Sequence, residues 1–143
     1  MKRNILVFLF TENLEKVLLV NHCNLGFNGI TGSQNGFKFT LDHKETAEDT
    51  AIQIVEKETG IYLEDIRLLQ RVTNFFKNVE ITETTVLYSI TEEMYIPNTT
   101  ENIYEWITLD EIKDITFMYT SYGAGEIRSY ILNAVNTILE EDE

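Results

Sequence analysis

Glu45, Glu48, Asp49, Glu56, Lys57 and Glu58 crowd ionisable side chains into one short span of the chain. Carboxylates at such spacing can gather a divalent cation or carry a proton. An ammonium can meet a diphosphate as a point charge. Which of these is open depends on where each side chain points. If the span is helical, Glu56 and Glu58 lie about 160° apart around the axis, so the two cannot grip one ion. Glu56 therefore reads as a solvent-facing residue. Glu58 reads as either a ligand or a surface carboxylate, and Lys57 as a diphosphate contact or a solvated amine. Lys38, His43 and Lys44 add positive charge nearby in a chain whose net charge is −13.

Other chemistries find less support. His22, Cys23 and His43 lack zinc spacing and a fourth ligand. No local pattern argues for a serine or cysteine triad. Gly26, Gly29, Gly32 and Gly36 match no phosphate-cradling motif, so their segment reads as a turn-rich loop as readily as a phosphate site.

The element that must position the ionisable span is a helix near 47–59. Thr46 with Asp49 three residues on is a capping pair. Ala47, Ala51, Ile54 and Val55 form one apolar sector, and Gly60 suits a left-handed stop. Before it, Asn4–Phe10 and Lys16–Val20 read as a β-hairpin around the polar Thr11–Glu15. Residues 22–46 read as irregular, with a short strand at Phe37–Leu41. After the helix, Ile66–Phe76 and Glu83–Ile90 read as strands and Asn98–Asn102 as a loop. Residues 104–112 read as a strand running into a helix capped by Thr108 and Glu111. The last helix, near 124–140, carries Ile127, Tyr130, Ile131, Ala134, Val135, Ile138 and Leu139 as one stripe. Mixed strands covered by two main helices give an α/β sandwich.

The totals bound this further. The 143 residues are read as one domain spanning 1–143, with an acidic, frayed tail at 139–143. An apolar fraction of 43% suffices for a core without disulfides. A single cysteine, Cys23, suits a reducing cytoplasm. No apolar run reaches the roughly 18 residues that span a membrane. The charge of −13 argues against attraction to nucleic-acid backbones or anionic lipid.

The span from Glu45 to Ile61 resembles the Nudix box, a glutamate followed by Arg-Glu-aliphatic-x-Glu-Glu-x-Gly-aliphatic. Glu45, Val55, Glu58, Gly60 and Ile61 stand at matching positions. Gln53, Ile54 and Lys57 stand where the pattern has arginine and two glutamates; its leading glycine is Phe39, or Gly32 with an insertion. Outside the box, Glu105 to Ile112 is similar to the family's tryptophan strand and following helix. Phe27-Asn28-Gly29-Ile30-Thr31-Gly32 looks like the aromatic-Asn-Gly segment of the branch that sanitises oxidised purine nucleotides. Thr120 and Ser121 depart from that branch's acidic pair.

The resemblance implies a Nudix-like α/β/α sandwich with a mixed sheet and a diphosphate-cleaving enzyme dependent on Mg or Mn. It makes Glu58 the surviving metal ligand, with Glu45 the second candidate catalytic carboxylate, in the family bonded to the residue matching Gln53. It assigns Asn28 to the base, with Phe27, Phe117 or Tyr119 stacking on it, and Lys57 to the phosphates. The expected pocket lies between the loop 25–32, the box helix and 104–122, and the expected ligand is a nucleotide or related diphosphate. With two helical glutamates gone, hydrolysis is expected to be weak or lost. The alternatives are an active hydrolase completed by carboxylates such as Glu101 or Glu105, and an acidic module that binds a protein partner without catalysis. A homodimer is compatible with all three.

Overall fold

The computed structural model describes residues 2–22, 26–34, 46–76, 80–117 and 124–141. The elements are β1 (Lys2–Thr11), β2 (Lys16–His22), β3 (Phe27–Asn28), β4 (Ile30–Gln34), α1 (Ala47–Thr59), β5 (Arg67–Phe76), β6 (Glu80–Thr91), β7 (Asn102–Thr108) and α2 (Ala124–Glu141). A short 3-10 helix covers Leu109–Asp114.

β1 is the centre of the sheet because its apolar residues are buried on both faces. Ile5, Val7 and Leu9 point toward α1, and Leu6, Phe8 and Phe10 toward α2. A strand covered on both sides reads as a near-continuous apolar run, and Ile5–Phe10 is one. β6 lies parallel to β1 from Lys2 opposite Thr82 to Thr11 opposite Thr91, while β4, β5 and β7 join antiparallel. The mixed sheet, with α1 on one face and α2 on the other, is the expected α/β/α sandwich.

α1 begins and ends as its sequence predicts. The Asp49 amide donates to the Thr46 hydroxyl at 3.1 Å. Gly60 takes φ of 79° and its N–H caps the Glu56 carbonyl at 2.8 Å. Ala47, Ala51 and Val55 are buried against the sheet. α2 buries Ile127, Tyr130, Ile131, Ala134 and Ile138 on the other face.

Three expectations change, the first being the tail: residues 139–141, read as part of a frayed end, continue α2, and Glu141 accepts from the Tyr88 hydroxyl at 3.2 Å. Within 22–46, residues 27–28 and 30–34 are strands, because β4 finds its ladder on β1 from Val7 opposite Ile30 to Arg3 opposite Gln34. That pairing with a distant strand outweighs the weak β preference of Gly, Ser and Gln. After β7 the helix is a 3-10 turn, and the Thr108 hydroxyl donates to the Glu111 carboxylate at 2.7 Å instead of capping a backbone amide. The strand expected at Phe37–Leu41 lies outside the described residues. No helix among them is long and apolar enough to cross a membrane.

Candidate functional site

Ile54, Lys57 and Glu58 share one face of α1, within about 100° of arc. Ile54 is partly buried and packs against the core beneath the helix. Its terminal methyl sits where a Cβ on Gly32 would stand, with the Ile54 Cγ1 3.5 Å from the same point. The glycine in β4 thus makes the space that the isoleucine fills. Lys57 and Gln53 are exposed. Glu45 lies outside the described residues.

Glu58 is exposed but engaged. The Tyr104 hydroxyl donates to its Oε2 at 2.9 Å. Tyr104 stands in β7 directly opposite Val20 of β2, and Val20 in turn stands opposite Asn28 of β3. Residues directly opposite share a face, so Asn28, Val20 and Tyr104 form a row across three strands on the α1 side. Asn28 is fully buried. Its Oδ1 accepts the Gly29 N–H at 2.8 Å, and its Nδ2 has no partner among the described residues.

Beside this row is a cavity of about 80 Å3, walled by Val20, Gly29, Ile30 and Thr31 with Glu58, Asn102 and Tyr104. These are residues of the loop 25–32, the box helix and the start of the tryptophan strand, joined by β2. At roughly 30 Å3 per water, the cavity is room for two or three waters, not for a nucleotide. The segments 35–45 and 118–123, which include Tyr119, lie outside the described residues.

Phe27 and Phe117 are placed elsewhere. Phe27 packs on the α2-side core, pairs with Phe117 through a parallel bridge, and donates its N–H to the Thr116 carbonyl at 3.1 Å. Phe117 is 5% exposed, and the Arg128 guanidinium lies 5.2 Å from its ring centroid. Arg128 is fixed there by Nη2–H bonding the Ile115 carbonyl at 2.8 Å. The two phenylalanines therefore face away from Asn28, as strand alternation requires of neighbours. The same alternation sends Glu105 to the face opposite Tyr104, away from Glu58.

Among the described residues, no three His, Cys, Asp or Glu side chains converge as a metal site. One carboxylate bonded to a phenol, beside an aliphatic side chain and an ammonium, does not fit a divalent cation, which wants several oxygen donors.

Tyr104 was not singled out from the sequence. Its neighbour Trp106 carries the family likeness, while its own role depends on the register of β7 against β2, which no local pattern encodes. Burial first, and then the hydrogen bond to Glu58 and its charge, push the phenol above the ordinary value of 10.0. A raised folded-state value gives stability that is present below the unfolded value and lost as pH rises through the folded one. Tyr104→Phe is expected to cost about 1 kcal/mol near neutrality. The gap between native chain and variant should narrow above the unfolded value of 10.0. Thermal melts of both proteins on either side of that pH check this, and a gap that stays constant would contradict it.

No family model and no curated sequence matches the chain. Solved structures do. The Nudix domain of Shewanella oneidensis NrtR, complexed with ADP-ribose, aligns with a TM-score of 0.64 at 20% identity, over 95% of this chain and 87% of that one. The MutT protein of Bacillus halodurans aligns at 0.69 and 18%, over 91% and 80%. The dihydroneopterin triphosphate pyrophosphohydrolase of E. coli aligns at 0.64 and 18%, over 92% and 95%. With the order of its strands, its capped helix between β4 and β5 and these alignments, the chain has the Nudix fold.

Proposed function

We propose that this chain binds a nucleotide or another nucleoside-diphosphate-linked compound, and that its Mg- or Mn-dependent hydrolysis is weak or lost. The observation that carries the second half is the α1 face: Ile54 sits over Gly32, Lys57 brings a positive charge, and Glu58 is bonded to Tyr104. The ligand class is supported by a neighbour of the same fold that holds ADP-ribose. Asn28 supports it too, since its buried amide nitrogen has no partner among the described residues, and such a group costs about 1–3 kcal/mol until something accepts from it.

In this reading the ligand opens the cavity beside Tyr104. Asn28 meets the base, Lys57 the phosphates, and Glu58 with Glu45 is all that remains of the catalytic carboxylates. Tyr119 is the aromatic candidate left for stacking, since Phe27 and Phe117 lie in the core on the α2 side of the sheet, opposite Asn28. The protein acts as a single Nudix-like domain in a reducing cytoplasm, with no membrane or nucleic-acid backbone as partner.

A thermal-shift panel of nucleoside di- and triphosphates, dinucleotides and nucleotide sugars tests the ligand. A binder at about a hundred times its Kd adds roughly 2.7 kcal/mol, a shift of several degrees. The shift is expected without added metal. A panel in which no member stabilises the chain, at concentrations far above ordinary affinities, would contradict the proposal.

A further inference from the structure

A second and larger concavity lies past the carboxyl end of α1. It measures about 400 Å3 and runs from Gly60–Asp65 to Ile90–Met94, with Glu12 at its side. Three large apolar side chains line it while exposed: Tyr62 at 67%, Met94 at 42% and Ile90 at 41%. Tyr95, next in the chain, is 86% exposed. Nine large apolar side chains are exposed among the described residues, so a third of them line this one groove. Such clustering marks a contact surface more often than scattered exposure does.

The rim is acidic. Glu12, Glu64, Asp65 and Glu92 line it, with no lysine, arginine or histidine among the described lining residues. Asp65 is paired to Arg67 at 2.9 Å, whereas Glu12, Glu64 and Glu92 form no ion pair among the described residues. The groove also opens at the negative end of the α1 dipole, which favours a cation near the last turn. The walls are held in place: Trp106 Nε1–H donates to the Met94 carbonyl at 2.8 Å, and Ile61 and Leu63 are buried beneath.

We propose that this groove docks a positively charged segment of a partner protein, one apolar anchor seated against Tyr62, Ile90 and Met94 and lysines or arginines meeting Glu12, Glu64 and Glu92. The charge decides the occupant. A second copy of this chain, itself at −13, would bring like charge to the rim, and a nucleotide would bring its phosphates there.

The probe is a short fluorescent peptide with lysines on both sides of one tryptophan, titrated with the full chain by anisotropy. Binding is expected, weakening when salt rises from about 50 to about 300 mM as screening shortens. Replacing the tryptophan by alanine, or Tyr62→Ala in the protein, is expected to weaken it about fivefold, as for an interface anchor. Glu64→Lys with Glu92→Lys is expected to weaken it tenfold or more, about 1.4 kcal/mol. Asp110→Lys with Glu140→Lys, which makes the same charge change on exposed residues outside the groove, should cost less than about twofold if contact rather than bulk charge is read. Thermal melts confirm that each variant is folded. Equal loss from both charge pairs, indifference to the tryptophan, or no binding of the probe would overturn the proposal. So would sedimentation showing a dimer that Tyr62→Ala dissolves.

Discussion

Gly29→Ala is expected to lower the unfolding free energy by about 3 kcal/mol, near the upper end of what overpacking a core costs. A Cβ at this position would stand 2.7 Å from the Val7 carbonyl oxygen and 2.9 Å from Phe8 Cε1. Both belong to β1, and Phe8 is fully buried, so neither can step aside without moving the centre of the sheet. For a chain of this length that amounts to a drop of roughly 10 °C in Tm. Gly32→Ala makes the contrast. The Cβ there meets the terminal methyl of Ile54, which can turn away, so its cost should stay near 1 kcal/mol. Urea titrations measure both, with the slope unchanged if only stability has moved. Because Gly29 also walls the cavity beside Tyr104, its alanine variant should lose the ligand-induced thermal shift as well. Equal costs for the two glycines would contradict the close contact of Gly29 with β1.

The second large effect concerns metal. Ile54→Glu with Lys57→Glu places three carboxylates on one face of α1 with Glu58, and removes a cation from it. Exchanging a positive for a negative charge some 7 Å from a divalent ion changes their interaction by about 2 kcal/mol even at water-like dielectric, roughly thirtyfold in affinity. Magnesium titration by calorimetry should show that gain, and Glu58→Gln added to the pair should remove most of it. There is a cost. Ile54 leaves its seat over Gly32, and losing that packing destabilises the metal-free protein by about 2 kcal/mol. Lys57→Glu alone avoids that cost, since Lys57 is exposed, and as the charge exchange itself it should show the roughly thirtyfold gain without the added ligand at 54. No gain from either variant would mean that this face is not where the fold gathers metal.

What could be read in advance follows from how far each feature reaches along the chain. The limits of α1 were legible because its caps are local: Thr46 bonds the amide of Asp49, and Gly60 supplies the left-handed turn. The stripe of α2, save Leu139, which is 52% exposed, and the apolar run of β1 were legible for the same reason, as periodicity within one segment. β3 and β4 were not, because their residues form strands only where β2 and β1 lie alongside. The site divides in the same way. The substitutions at 53, 54 and 57 stand in the sequence, but the seat of Ile54 over Gly32 does not. Neither does the bond from Tyr104 to Glu58, whose partners are brought together by a strand register and a helix placement. Phe27 and Asn28 look like one binding motif in the sequence, yet adjacent strand residues face opposite sides of a sheet. That separation came from secondary structure alone, once 27–28 was known to be a strand.

Nucleotide binding on a Nudix fold without effective metal-dependent hydrolysis is the proposed state of this protein. Its most direct test is release of phosphate or nucleoside monophosphate across the same ligand panel, with magnesium or manganese, for the native chain beside Glu58→Gln. Little or no turnover is expected, with no difference between the two proteins, for ligands that stabilise both in thermal melts. Robust turnover by the native chain that Glu58→Gln abolishes would contradict it.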